Sequence, residues 1–322
     1  MTPDSNNVFR LARASGSEWT PTAAQIMLGR EMKQLREQAG LTQSGLARSV
    51  HVSASTVNRL EHAEGATVKR TVQAVIDFLK PDVGMHDTLL MMLARAQEPE
   101  WFQKRFSDCT PEYLHRLLGL ESMAIHLTTY DVRLVSGLLQ TQDYSSCVIR
   151  TGLHRSEWEG EALDRRLSQR QERQDRVLGQ IDPQSGIFLM DESVLLRRVG
   201  PDDVMRAQMV KLRRLADLPY VTIRFVLLDG MIAGNAAAMA GSMAQLQFGR
   251  GGLPDLVYTE GYETAEYYYR PPRRPRAGEK PLTPRQSDYE RHLQLLLRIQ
   301  GEACASPSQS RRMLDAAIKR YS

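Results

Sequence analysis

The sequence predicts a mainly α-helical N-terminal bundle followed by a larger α/β (α+β) domain in which a small sheet packs on helices. Three observations carry this. From residue 22 to residue 80 apolar side chains recur at the three- and four-residue intervals of amphipathic helices. Beyond residue 112 short strand-like runs enter, GIFLM at 186–190, VTIRFVLL at 221–228, then 242–248 and 256–258, bounded by Pro, Gly and Asp. A chain of 322 residues that is 42% hydrophobic and 25% charged is long and apolar enough for about two ordinary cores.

The expected organisation is a loose arm over residues 1–20, a bundle over 21–83, a helical linker over 84–111 and a second domain over 112–322. The arm mixes Asn, Ser, Gly and Pro without a period; Arg10 or Arg13 on it could enter a minor groove, although a frayed terminus is the commoner meaning of such a stretch. The first bundle helix starts at Thr22, lines one side with Ile26, Leu28, Met32, Leu35 and Ala39, and stops at Gly40. Leu46 and Val50 on one short helix, Val57 and Leu60 on the next and Val52 between them share one small core, with Ala47 where the helices cross. Val68, Val72, Val75, Ile76 and Leu79 then make a closing helix before Pro81.

Residues 43–62 therefore have the frame of a helix-turn-helix, and the second helix is expected to lie in a DNA major groove. Ser53 is its cap, and Ser53, Ser55, Thr56, Asn58 and Arg59 are the candidate base readers, because Asn pairs with adenine, Arg with guanine, and hydroxyls with several bases. Thr42, Gln43 and Ser44 open the first helix of the pair, where backbone N–H groups and a side-chain amide can approach a phosphate.

Residues 40–65, GLTQSGLARSVHVSASTVNRLEHAEG, resemble the xenobiotic-response-element (XRE) class of helix-turn-helix regulators, related to the lambdoid phage repressors, which implies a lambda-repressor-like bundle. His51 stands in the turn where that pattern usually has Gly, a position that wants positive φ. The second domain resembles the C-terminal domain of actinobacterial regulators of the WhiJ type, also called Scr1-type, through SGLLQTQDYS at 136–145, RLSQRQERQ at 166–174, residues 191–197, VGPDDVMRAQMVKL at 199–212, DLVYTEG at 255–261 and SQSRRML at 308–314. Ser136 replaces a usual Pro, and GNAAAMAGSM at 234–243 replaces a more apolar strand. The resemblance implies an antitoxin-like or developmental role and a small regulatory protein partner encoded nearby.

Charge and composition narrow the rest. The formal charge is +4; residues 1–80 carry ten Lys or Arg against seven Asp or Glu, and the remaining 242 residues are almost balanced. That modest surplus on one small bundle holds few phosphates, so a homodimer on an inverted-repeat operator in double-stranded DNA is expected. Cys109, Cys147 and Cys304 are too far apart in sequence for a zinc motif or a disulfide framework and read as reduced thiols. No glycine loop, histidine pair or carboxylate pair has catalytic or cofactor spacing; Asp191, Glu192, Glu260 and Glu263 read as helix-start or strand-end acids, so no enzyme and no cofactor are expected. With no signal peptide or membrane-length apolar run, the expected place is the cytoplasm, on the nucleoid when bound to DNA.

The stretch from Tyr262 through Tyr267, Tyr268, Tyr269 and Arg270 to Arg273, Arg274 and Arg276 concentrates aromatic and basic residues around prolines, which makes it the candidate partner surface. The alternative expectation is a ligand-gated sensor, whose second domain would enclose a pocket for a small apolar molecule lined by Met and aromatic side chains.

Overall fold

The computed structural model describes residues 21–103, 105–106, 109–110, 112–152, 160–179, 185–229, 240–249, 254–261, 264–271 and 287–322. The expected arm with Arg10 and Arg13, most of the 234–243 stretch, Tyr262, Glu263, Arg273, Arg274 and Arg276 lie outside these residues.

The bundle begins with α1 (Ala23–Gln38), whose Thr22 cap and Gln25 form a reciprocal capping box that satisfies two otherwise orphaned N–H groups. Gly40, at φ 69°, ends it. Next come α2 (Gln43–Ser49), α3 (Ala54–Glu61) and α4 (Lys69–Leu79), the last stopped by Lys80 in a left-handed conformation before Pro81. α5 (Val83–Ala96) follows, capped by Asp82. Rather than spanning a gap between domains as a linker, α5 packs along α1 with Leu89, Met92, Leu93 and Ala96 buried, and Gln25 Nε2 donates to Ala96 O across the seam at 3.2 Å.

After α6 (Glu112–Glu121) the chain enters β1 (His126–Asp131) and continues through α7 (Gln142–Thr151) and α8 (Glu161–Leu178) to β2 (Ser185–Asp191). A 3-10 turn follows at Glu192–Leu195; Asp191 caps it through the Ser193 N–H, and α9 (Asp202–Leu215) then leads to β3 (Val221–Val226). β4 (Met243–Gln247), β5 (Leu256–Glu260) and β6 (Ala265–Tyr269) complete the sheet, and α10 (Asp288–Arg298), a π-turn at Ile299–Ala303 and α11 (Pro307–Arg320) close the chain.

The strands form one six-stranded sheet in the order β3-β2-β1-β4-β5-β6. β1, β2 and β3 are parallel, joined by helical crossovers, whereas β4, β5 and β6 run alternately antiparallel. The sheet is covered on both faces. Phe188, Met190, Ile223 and Phe225 join one continuous apolar cluster that also holds Met205 and Leu212 of α9, Leu314 of α11, Met27 and Leu28 of α1 and Val57 of α3. Tyr130, Leu189, Val226 and Met243 face the other way, against Leu296 of α10 and Ile299 and Ala303 of the π-turn.

The three tyrosines expected on a partner surface are structural instead. Tyr267, Tyr268 and Tyr269 are 3%, 8% and 4% exposed because they form β6, where alternate rings are buried on opposite faces. Tyr268 stacks on His292 of α10 at 4.1 Å, while Tyr267 and Tyr269 point toward the bundle side. Arg270, just beyond the strand, is exposed and pairs with Asp255 at 3.2 Å.

Candidate nucleic-acid interface

The α2–turn–α3 unit is built from the expected apolar residues. Leu46, Ala47 and Val57 are buried, with Val50, Val52 and Leu60 packed around them. His51 takes φ 56° in the turn, so the chain accepts the strain of a side chain there. α1 crosses the end of α3 at Gly29, where a Cβ would lie 2.4 Å from Leu60 O, a separation no side chain tolerates.

A line of polar contacts runs from this crossing to the reading face. Arg36 of α1 forms a two-pronged pair with buried Glu61 at the end of α3, its NH2 at 2.9 Å from Oε2, and also donates to Leu41 O at 2.7 Å. The hydrogen bonds to Glu61 raise the Arg36 pKa above its usual value against the opposing effect of burial. Gln43 Nε2 donates to Glu61 Oε2 at 2.9 Å and to Asn58 Oδ1 at 3.3 Å. A carboxylate paired with arginine only accepts, so it forces the NH2 side of Gln43 inward. The amide donor of Gln43, expected at a phosphate, is thus engaged within the protein, where it orients Asn58.

The remaining candidates divide by what their side chains already do. Thr42 and Ser53 are caps, their Oγ atoms accepting from Gly45 N and Thr56 N at 3.0 Å each, and Ser53 Oγ also meets Thr56 Oγ1 at 2.8 Å. Ser44, Ser55 and Arg59 are exposed, and Thr56 and Asn58 are half-buried at the base of the same face. Sequence reasoning missed Lys69 and Arg70. Both are exposed in the first turn of α4, which has no side-chain cap hydrogen bond and no acidic residue. Two cations on the positive end of a helix oppose the macrodipole, an arrangement that an anion at that end relieves; the charge order at 69–70 was the available signal.

The bundle is seated on the second domain. Arg30, next to Gly29, places its guanidinium 3.7 Å above the Tyr269 ring, and Arg116 of α6 lies 4.4 Å over Tyr267 and donates to the Tyr269 hydroxyl. Burial lowers the Arg30 pKa to about 10 against the attraction of Tyr269, so it stays charged at neutral pH. Ala23 N donates to Glu100 Oε1 at 3.1 Å on the same side.

Cys109, Cys147 and Cys304 are half-buried thiols. Among the described residues no helix is long and apolar enough to cross a membrane, and no three carboxylate, imidazole or thiol groups are placed to hold a metal ion.

Comparison with known families gives two matches. Residues 27–89 match a helix-turn-helix domain family, and residues 114–316 match a domain of unknown function, DUF5753. No curated protein and no solved structure matches the chain. With more than half of its length in that match and the recognition unit ahead of it, the chain belongs to the DUF5753 family and carries at its N-terminal end the helix-turn-helix domain of a DNA-binding regulator.

Proposed function

We propose that the protein is a sequence-specific transcriptional regulator that binds an inverted-repeat operator in double-stranded DNA as a homodimer, under the control of a small regulatory protein encoded nearby, in an antitoxin-like or developmental role. The observation that carries the reading is the chain of contacts Arg36–Glu61–Gln43–Asn58, which fixes α3 and aims a polar, non-acidic face built from Ser55, Thr56, Asn58 and Arg59 away from the bundle. Such a face suits base edges in a major groove, with the N-termini of α2 and α4 on flanking phosphates.

Two features support dimerisation. The bundle's small positive surplus makes one copy a weak phosphate binder, and joining two makes the second docking effectively intramolecular. Val83 and Met91, eight residues apart on α5, are 79% and 61% exposed, and Phe78 at the end of α4 is 43% exposed. Apolar side chains left in water in this way fit a contact between copies. Control by a protein partner rests on the resemblance of the second domain; Arg270 is the described part of the surface expected for it. The sensor alternative gains no support from the groove of the second domain. The groove of about 540 Å³ between α7 and α8 is lined by polar groups including Gln140, Ser145, Asp164, Arg170 and Gln171.

Selection of bound duplexes from a randomised pool, followed by titration and sedimentation on the winning sequence, tests the proposal. An inverted repeat with half-sites about 34 Å apart, or a multiple of that, bound by two copies is the expected result. Equal affinity for selected and randomised duplexes, or a monomer both free and on its operator, overturns it.

A further inference from the structure

The sheet reverses its winding between β1 and β4. β1 leads to β2 on one side, while its other neighbour, β4, comes after β3 and returns across the sheet. At this edge the chain leaves β1 toward β2 on one side and enters the antiparallel β4 on the other, and the region outside the carboxyl ends of strands at such a reversal is where open α/β sheets take ligands. β5 runs parallel to β1, two antiparallel pairings away, so Asp131 at the end of β1 and Glu260 at the end of β5 lie on this same edge.

The register places them in one row. Tyr130 is opposite Met243 and Met243 is opposite Thr259; one residue further, Asp131, Ser242 and Glu260 line up across three neighbouring strands, with Glu260 N donating to Ser242 O at 3.1 Å. Thr129, Ala244 and Tyr258 form the next row on the same face, because side chains two residues apart share a side. Ala244 contributes only a methyl between Thr129 and Tyr258.

Charge and hydrogen bonding in this crevice are unbalanced. Arg173 of α8 forms a bidentate pair with Glu121 of α6 at 2.7 and 2.8 Å and also attracts Asp131 and Glu260, the latter attracted by Arg170 as well, so two guanidinium groups face three carboxylates. Among the described residues Asp131 accepts from neutral hydroxyls, Thr129 Oγ1 at 3.0 Å and Ser136, and Glu260 stands at the exposed rim. The Tyr258 side chain, 3% exposed, puts its hydroxyl among Glu260, Arg173 and Glu121, where it has no hydrogen-bond partner among the described residues. A buried hydroxyl without a partner loses its hydration uncompensated, a loss that a ligand atom placed there would offset.

We propose that the row of Asp131, Ser242 and Glu260, with the Tyr258 hydroxyl beneath it, binds a small organic cation, an alkylammonium or guanidinium compound, at the carboxyl ends of β1 and β5. Glu260 and an Asp131 carboxyl that the bound cation draws into its ionised form answer the positive charge, and the Tyr258 oxygen and the second lone pair of Ser242 Oγ, which already accepts from Val132 N at 3.3 Å, accept its remaining N–H groups. The site is independent of the dimer and of any protein partner. It lies one helix from the reading unit, since α6, which carries Glu121, packs against α1.

Calorimetry on the full chain at neutral pH, with agmatine and putrescine as probes and 1,4-butanediol as the neutral counterpart, tests this. The expected result is one saturable site for at least one cation and none for the diol. Asp131→Asn and Glu260→Gln should each weaken binding about tenfold or more. Tyr258→Phe, which removes only the unpartnered oxygen, should weaken binding about threefold or more without lowering the melting temperature of the ligand-free protein. Absence of saturable binding by both cations at millimolar concentration overturns the proposal, as does equal binding of the diol or binding untouched by all three substitutions. An arginine-containing peptide that competes for the same residues and binds more tightly than agmatine overturns the assignment to a small ligand.

Discussion

At the scale of single residues, the contacts of Gln43 change what its removal should do. Asn58→Ala and Arg59→Ala are each expected to cost about 1–3 kcal/mol of specific DNA affinity and to relax preference at one base position. A phosphate-binding Gln43 would weaken all sequences alike. Because Gln43 instead holds Asn58, Gln43→Ala should relax the same base position as Asn58→Ala, and the double substitution should cost less than the two single costs together. Titration of the four proteins against matched and single-base-changed duplexes checks this; uniform loss in Gln43→Ala is the opposing result. Asp131 gives a second residue-scale prediction. Burial is the largest cause of its rise from 3.8 to about 7, opposed by the Thr129 hydrogen bond and by Arg173 and reinforced by Glu260. The fold therefore favours the protonated carboxyl. Its contribution to stability is complete below about pH 4 and is lost as pH rises through about 7. Denaturant unfolding between pH 5 and 8 should show stability falling more steeply in the natural protein than in Asp131→Asn, and equal slopes would contradict the assignment.

At the scale of elements, the recognition unit was legible in the sequence because its determinants are local. Ser53 is the cap its position announced, Thr22 and Thr42 cap the helices expected to open there, and the spacing of Leu46, Val57 and Leu60 carries the core. β6 was not legible, since a strand buried on both faces loses the alternation that marks a half-exposed one; Tyr267, Tyr268 and Tyr269 read as a loop cluster for that reason. β1 was ambiguous, with His126, Thr128 and Thr129 diluting its apolar pattern, and the crevice around Asp131 was invisible because Glu121, Arg173 and Glu260 come from three other elements. Gly29 and Gly84 offer a test of element packing. Gly29→Ala drives a methyl into Leu60 O and should cost about 1–3 kcal/mol of stability while displacing the end of α3. Gly84→Ala meets only Asp82 Oδ1 at 3.5 Å and should be neutral or stabilising by up to about 1 kcal/mol, through helix propensity. Thermal melts of the two variants side by side distinguish these, and equal melting temperatures would refute the close crossing.

At the scale of the whole molecule, Val83 and Met91, proposed for the contact between copies, are not the residues that seat the bundle, among them Arg30. Val83→Asp with Met91→Asp should shift sedimentation toward the monomer and weaken operator binding strongly, while melting stays close to that of the natural protein because neither side chain is buried within the copy. An unchanged dimer would move the contact away from α5. The seating itself is concentrated in consecutive residues of α1: Gly29 touches the reading helix and Arg30 covers Tyr269 of the sheet edge. This makes the chain a poor source of interchangeable cassettes. A chimera cut near Pro81 would carry Arg30 away from Tyr269 and Ala23 away from Glu100, leaving a partly desolvated cation on one fragment and an uncovered aromatic edge on the other. Transplanting the DNA specificity of a relative onto this second domain would therefore succeed by grafting the outward side chains of α3 onto the resident bundle, with α1 kept as the native keel.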